Sequence, residues 1–208
     1  MNLPNKITTF RMACVVIVDF ILLFPWEACG LKPVTIFANV TLDLFISFIL
    51  FVIASFSDFL DGYLARKYNL VTTYGKFMDP IADKLLVNTT LIICAIKMPH
   101  LIPAVVVVIM IARDLLVDAL RQVASSKNII LAANMWGKIK TVTQMIALSF
   151  VLLNDWPFSY IANNMSNYYP ITAILCYIAC LASLLSGILY FTKNLKVFKD
   201  QANDRGSN

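Results

Sequence analysis

Four carboxylates stand at helical spacing in the run Ser57 to Lys84, which reads SDFLDGYLARKYNLVTTYGKFMDPIADK. Asp58 and Asp61 are three residues apart and Asp79 and Asp83 are four apart, so each pair shares one face of a helix. The run contains no thiol and no imidazole, which leaves an all-oxygen donor set. Hard divalent cations such as Mg²⁺ or Mn²⁺ favour such donors, and a pair of them about 4 Å apart is a recurring device for phosphoryl transfer. Asp58, Asp61 and Asp79 are the candidate metal ligands. Asp83, one turn beyond Asp79, could both touch a metal and take a hydroxyl proton, which makes it the candidate catalytic base. Solvated helix caps are the competing reading of these acids. Their clustering at the edge of membrane-length apolar segments argues against it.

The elements that must carry these acids are apolar. The chain has 208 residues, is 60% apolar and has a mean hydropathy of +0.76, values that exclude an ordinary soluble domain. Six spans are expected, over residues 8–26, 34–57, 84–98, 101–124, 139–155 and 168–192. The third is short unless its helix starts near Thr73, and the second is expected to continue through Asp58 and Asp61 to about Lys67. Of the 17 lysines and arginines, only Lys32 and Lys97 fall outside when both termini are placed inside. The predicted fold is therefore an all-α polytopic membrane protein of six transmembrane helices. Pro4 and its polar neighbours suggest a short N-terminal interfacial helix before the first span. Residues 1–200 form one membrane domain, and residues 201–208 are a polar tail expected to be disordered.

The aspartates belong to a longer pattern, D-x2-D-G-x2-A-R-x8-G-x3-D-x3-D, carried by Asp58, Asp61, Gly62, Ala65, Arg66, Gly75, Asp79 and Asp83. It resembles the signature of the CDP-alcohol phosphatidyltransferases. The resemblance implies attack on CDP-diacylglycerol with release of CMP, aided by two divalent metal ions. It also implies that Gly62, Ala65, Gly75 and Arg66, with Asp58, shape the site for the nucleotide and its diphosphate. Helix packing is the reading that spacing alone would favour for the small residues. A homodimer in the bacterial cell membrane is implied by the same resemblance, and the bias of lysines and arginines predicts that the motif faces the cytoplasm.

The acceptor must be read elsewhere. Arg113 and Arg121 are eight residues apart, about 80° around a helix and broadly on one side. Lys138 and Lys140 point in nearly opposite directions, and Lys138, with Thr141 on its own face, is the one expected to join the arginines. Arg113, Arg121 and Lys138 would bind a phosphate, hence a phosphorylated acceptor alcohol. Singly, each could be no more than an inside-positive charge. The segments NLPNKIT, ARDLLVDALR and GKIKTVTQ resemble the subgroup of the family whose acceptor is glycerol 3-phosphate. Asp114 departs from it, because a glutamate is expected after the arginine.

Two alternatives remain open: a sibling transferase using inositol phosphate, serine or another lipid, and an ion carrier using intramembrane acids for divalent cations. A carrier would need acids near mid-bilayer in both halves of the chain. Asp19 and Asp43 do fall inside predicted spans, where a structural hydrogen bond or an outer polar pocket is the expected role. The five cysteines are odd in number and read as packing residues, and His100 falls in an outer loop. No cleavable signal peptide and no nucleic-acid surface is expected.

Overall fold

The computed structural model describes residues 3–31, 33–37, 39–67, 73–127, 129, 131, 135–161 and 168–195, with side chains at all of these but 3–5, 58–67, 73–77 and 79–80. The predicted tail, 201–208, lies outside the described residues. Six long helices dominate: α1 (Leu3–Leu23), α2 (Leu42–Lys67), α3 (Thr73–Lys97), α4 (Ala104–Ser126), α5 (Met135–Leu152) and α7 (Ile171–Lys193), with a short α6 (Phe158–Ile161) between the last two. Helix α1 packs along both α2 and α3, while α7 packs along both α4 and α5.

Three expectations are corrected. No separate interfacial helix precedes the first span, because α1 runs unbroken from Leu3 to Leu23. Pro4 falls in its first turn, where a missing N–H costs nothing, and no breaker follows. The second span does not start at residue 34. Residues Thr35–Phe37 (β1) and Val40–Thr41 (β2) form an antiparallel hairpin instead, pairing Thr35 with Thr41 and Phe37 with Val40. The β-branched residues Val34, Thr35, Ile36, Val40 and Thr41 after Pro33 favour that pleated geometry over helix. The fifth helix also begins earlier than expected, at Met135, and ends at Leu152.

One contiguous core joins the helices, with Val18 of α1, Phe51 of α2, Leu91 and Cys94 of α3, Met110 of α4, Val151 of α5 and Ala179 of α7 almost wholly buried. The buried stripe of α7 consists largely of small residues, Ala173, Cys176, Ala179, Cys180, Ser183 and Ser186, which let neighbouring helices approach closely. Large apolar residues cover the outside instead, among them Val16, Phe20, Phe56, Ile96, Val105, Leu116, Leu185 and Ile188. An outer surface of that kind suits lipid rather than water. Among the described residues one helix, α7, is long and apolar enough by itself to cross a bilayer, and the apolar stretch Leu42–Ser57 is shorter.

Polar ties close the end of the bundle away from the motif. Lys97 Nζ donates to the carbonyl of Leu22 at 2.8 Å and lies 3.6 Å from Asp43, tying α3 to α1 and α2. The expected structural role of Asp43 is therefore filled by an ion pair. Asn154 and Asp155 turn the chain in left-handed conformation, at φ 49° and 63°. The Asp155 carboxylate then accepts from Thr172 N at 2.9 Å and from Tyr168 OH at 2.7 Å, satisfying a free N–H at the start of α7.

Candidate active site

The motif straddles the junction of two helices. Asp58, Asp61, Gly62, Ala65 and Arg66 occupy the last turns of α2, and Gly75, Asp79 and Asp83 the first turns of α3. Among the described residues α2 runs to Lys67 and α3 starts at Thr73. The side chains of Asp58, Asp61, Ala65, Arg66 and Asp79, and the surroundings of Gly62 and Gly75, lie outside the described residues. Among the described residues no three acids, histidines or cysteines converge as a metal site.

Asp83 is described, and it opens the site to view. It is partly buried and lines a small cavity of about 40 Å³, together with the polar Lys84, Asn88, Asp114, Lys140 and Gln144 and the apolar Val87 and Met145. The cavity lies where α3, α4 and α5 meet. Gln144 is 2% exposed, and its Nε2 donor has no hydrogen-bond partner among the described residues. An unsatisfied amide so deeply buried is costly, and a polar ligand in the cavity would relieve it.

Charge around this cavity is paired across helices. Lys84 of α3 bridges to Asp118 of α4. Asp114 of α4 uses both oxygens: Oδ2 accepts from Lys140 of α5 at 2.6 Å and Oδ1 from Arg113 Nη1 at 2.9 Å. Arg113 also donates Nη2 to Ser186 of α7 at 2.7 Å. Arg121, two turns further along α4, donates Nε to Tyr190 at 3.2 Å, with its guanidinium 5.3 Å from the ring centroid. The two arginines thus stand on one side of α4, as their spacing predicts, and both reach α7.

The lysines divide differently from expectation. Lys138 is exposed, whereas Lys140 is 7% exposed and holds Asp114 on the cavity wall. Residues two apart on a helix face apart, so only the packing of α5 against its neighbours decides which one turns inward. Gln144 lies four residues beyond Lys140 on the same buried face, a spacing visible in the sequence but without a charge to mark it. Arg11 is also fully buried, on the helix that packs along both motif-bearing helices. Burying a guanidinium is costly unless it is paired.

The chemistry of the motif donors fits divalent cations. The pattern supplies four carboxylates from the adjoining ends of two helices, and Asp83, the one whose side chain is described, faces the small, partly polar cavity rather than lipid. A larger, open apolar groove of about 570 Å³ runs between α4 and α7, where Arg113 is the charged residue among Leu116, Leu184, Gly187 and Ile188.

Comparison with known proteins gives a consistent result. A family model described as CDP-alcohol phosphatidyltransferase matches residues 1–189. A protein of Bacillus subtilis (strain 168) is 41% identical over 204 residues, covering 95% of this chain and 97% of that one. Relatives in Mycoplasma pneumoniae and Rickettsia bellii are 36% and 33% identical, each covering 95% of this chain and 89% and 97% of their own lengths. All three relatives bear the name CDP-diacylglycerol--glycerol-3-phosphate 3-phosphatidyltransferase.

Proposed function

The chain belongs to the CDP-alcohol phosphatidyltransferase family, and we propose that it transfers the phosphatidyl group of CDP-diacylglycerol to glycerol 3-phosphate, giving phosphatidylglycerophosphate and CMP. The observation that carries this reading is near-full-length similarity to relatives named for that reaction, at 41% identity in the first case. The unbroken aspartate pattern and the cationic groups on α4 and α5 agree with it.

Asp58, Asp61, Asp79 and Asp83 would hold two divalent cations, Mg²⁺ or Mn²⁺. Bound there, the cations would offset the charge of the diphosphate and of the departing CMP. The chain's own residues then do the following. Arg66 gives the diphosphate a fixed pair of donors, while Gly62, Ala65 and Gly75 leave room for the nucleotide against the helices. Arg113 and Arg121, with Lys138 or the inward-facing Lys140 of α5, hold the acceptor phosphate and so orient the glycerol hydroxyl. That hydroxyl forms a bond to the phosphorus carried by diacylglycerol, its proton passes to Asp83, and the bond from that phosphorus to CMP breaks. Direct displacement is favoured because the motif places no Ser, Cys or His as a nucleophile.

The same reading sets the six long helices across the membrane with the motif at the cytoplasmic face, as the distribution of Lys and Arg supports. The protein would act as a homodimer in a bacterial cell membrane, a state that cross-linking in membranes tests directly. The decisive experiment supplies membranes containing the protein with CDP-diacylglycerol and one acceptor at a time, and measures CMP. Release that depends on glycerol 3-phosphate is expected. Release with inositol phosphate or serine but not with glycerol 3-phosphate would assign a sibling activity.

A further inference from the structure

Helix α7 carries no motif residue, yet it grips both arginines of α4. Ser186 and Tyr190 are four residues apart, hence on one face of α7, and are 1% and 4% exposed. Ser186 Oγ accepts from Arg113 Nη2 at 2.7 Å, and Tyr190 OH accepts from Arg121 Nε at 3.2 Å. Between them stands Gly187. A Cβ placed there would lie 2.8 Å from Cγ of Arg113, closer than carbon atoms approach one another, and a tight 3.2 Å from its Nε. The backbone does not call for glycine, because Gly30 alone among the described glycines has positive φ. Glycine is disfavoured inside a helix relative to alanine, so its presence here is explained by the arginine stem that passes over it.

Arg113 is therefore held from two sides. Asp114 takes Nη1 at 2.9 Å on the cavity side, and Ser186 takes Nη2 at 2.7 Å on the α7 side. A guanidinium is a rigid planar fork, so fixing two of its nitrogens and clearing a path for its stem sets its plane. We propose that Ser186, Gly187 and Tyr190 of α7 are positioning residues that aim Arg113 and Arg121 at the phosphate of the acceptor. The proposal rests on the assignment of those arginines to the acceptor. It adds that α7 sets acceptor affinity without touching substrate.

Steady-state kinetics of the full chain in membranes, with each substrate varied in turn, tests it. Ser186→Ala and Gly187→Ala should each raise KM for glycerol 3-phosphate by about tenfold, the scale of one charge-assisted bond, and leave KM for CDP-diacylglycerol unchanged. Tyr190→Phe, which keeps the ring, should give a smaller rise. In an Arg113→Ala background, Ser186→Ala and Gly187→Ala should add nothing, because residues acting through one arginine are not additive. Should Gly187→Ala fail to fold, Ser186→Ala alone carries the same comparison. Equal effects in the presence and absence of Arg113, or effects on both substrates alike, would reduce α7 to packing and overturn the proposal. If Arg113→Ala raises KM for glycerol 3-phosphate while neither α7 variant does, positioning fails and the acceptor site stands. If Arg113→Ala itself leaves that KM unchanged, the acceptor assignment fails and takes the positioning role with it.

Discussion

Lys140 and Asp114 meet at 2.6 Å across α5 and α4, and the second oxygen of the same carboxylate is taken by Arg113 at 2.9 Å. The Lys140 and Asp114 side chains are 9% and 15% exposed, so little water replaces a lost partner. Lys140→Met should cost roughly 2 kcal/mol of stability, below the 3–5 of a buried charge left wholly alone because Arg113 remains. Lys138→Met, on the exposed side of the same helix, should stay within about 0.5 kcal/mol. Thermal unfolding in detergent compares the two directly. KM for glycerol 3-phosphate should follow the same order, and a larger rise for Lys138→Met would restore the outward lysine to the acceptor site.

Replacing Asp58, Asp61 or Asp79 with Asn should abolish CMP release while the protein still elutes as a folded species from a sizing column. Each change removes a charge at nearly constant size. Chelation should silence the native protein, and added Mg²⁺ or Mn²⁺ should restore it. A variant that keeps most of its turnover at saturating metal would remove that aspartate from the ligand set.

Asp83→Asn should lower kcat as severely, yet spare binding of CDP-diacylglycerol, if its main task is to accept the hydroxyl proton. Equilibrium binding of the nucleotide lipid to this variant separates that role from metal holding. Weak binding alongside lost turnover would make Asp83 chiefly a ligand.

Free glycerol should be a very poor acceptor, because it lacks the phosphate that Arg113 and Arg121 are proposed to hold. Losing one charge-assisted bond is worth on the order of 1.5 to 3 kcal/mol, or roughly tenfold or more in binding. Competition between glycerol and glycerol 3-phosphate for CMP release measures the preference, and comparable use of the two would argue against a phosphate site on α4.

Overpacking α7 should hurt more than trimming its outer face. Ala179 is fully buried whereas Leu181 is 59% exposed. Ala179→Leu should destabilise by about 1–3 kcal/mol through forced rotamers and displaced neighbours. Leu181→Ala should change the unfolding temperature in detergent little, and the reverse ranking would show that α7 does not pack through its small residues.

The helices that carry the candidate site were legible because chemistry and spacing coincide. The four motif acids need helices on both sides of a short junction, and the ends at Lys67 and Thr73 follow from that need. The ladder from Arg113 to Arg121 was equally readable, since a helix fixes which side a residue takes once its spacing is known. What escaped depends on tertiary packing. Lys138 and Lys140 carry the same charge on opposite sides, and only the neighbours of α5 choose between them. Asp114 was read as a small departure from the subgroup, yet it joins Arg113 to Lys140. Ser186, Gly187 and Tyr190 sit in an apolar stretch and announce themselves only when their partners on α4 are seen. The hairpin at Thr35 to Thr41 was absorbed into a span because β-branched residues are as apolar as helix-forming ones.

The length of α2 bears on how the two substrates find each other. From Leu42 to Asp58 the helix rises about 24 Å at 1.5 Å per residue, against about 30 Å of hydrocarbon in a typical bilayer. Set upright in the membrane as proposed, with Leu42 at the outer edge of the hydrocarbon, α2 would carry Asp58 to about 6 Å and Asp61 to about 2 Å short of its inner edge, just beneath the headgroup layer that holds lipid phosphorus. In that arrangement the lipid substrate would stay in its leaflet and arrive by sliding sideways, its search confined to a plane, while glycerol 3-phosphate alone would come in from the water.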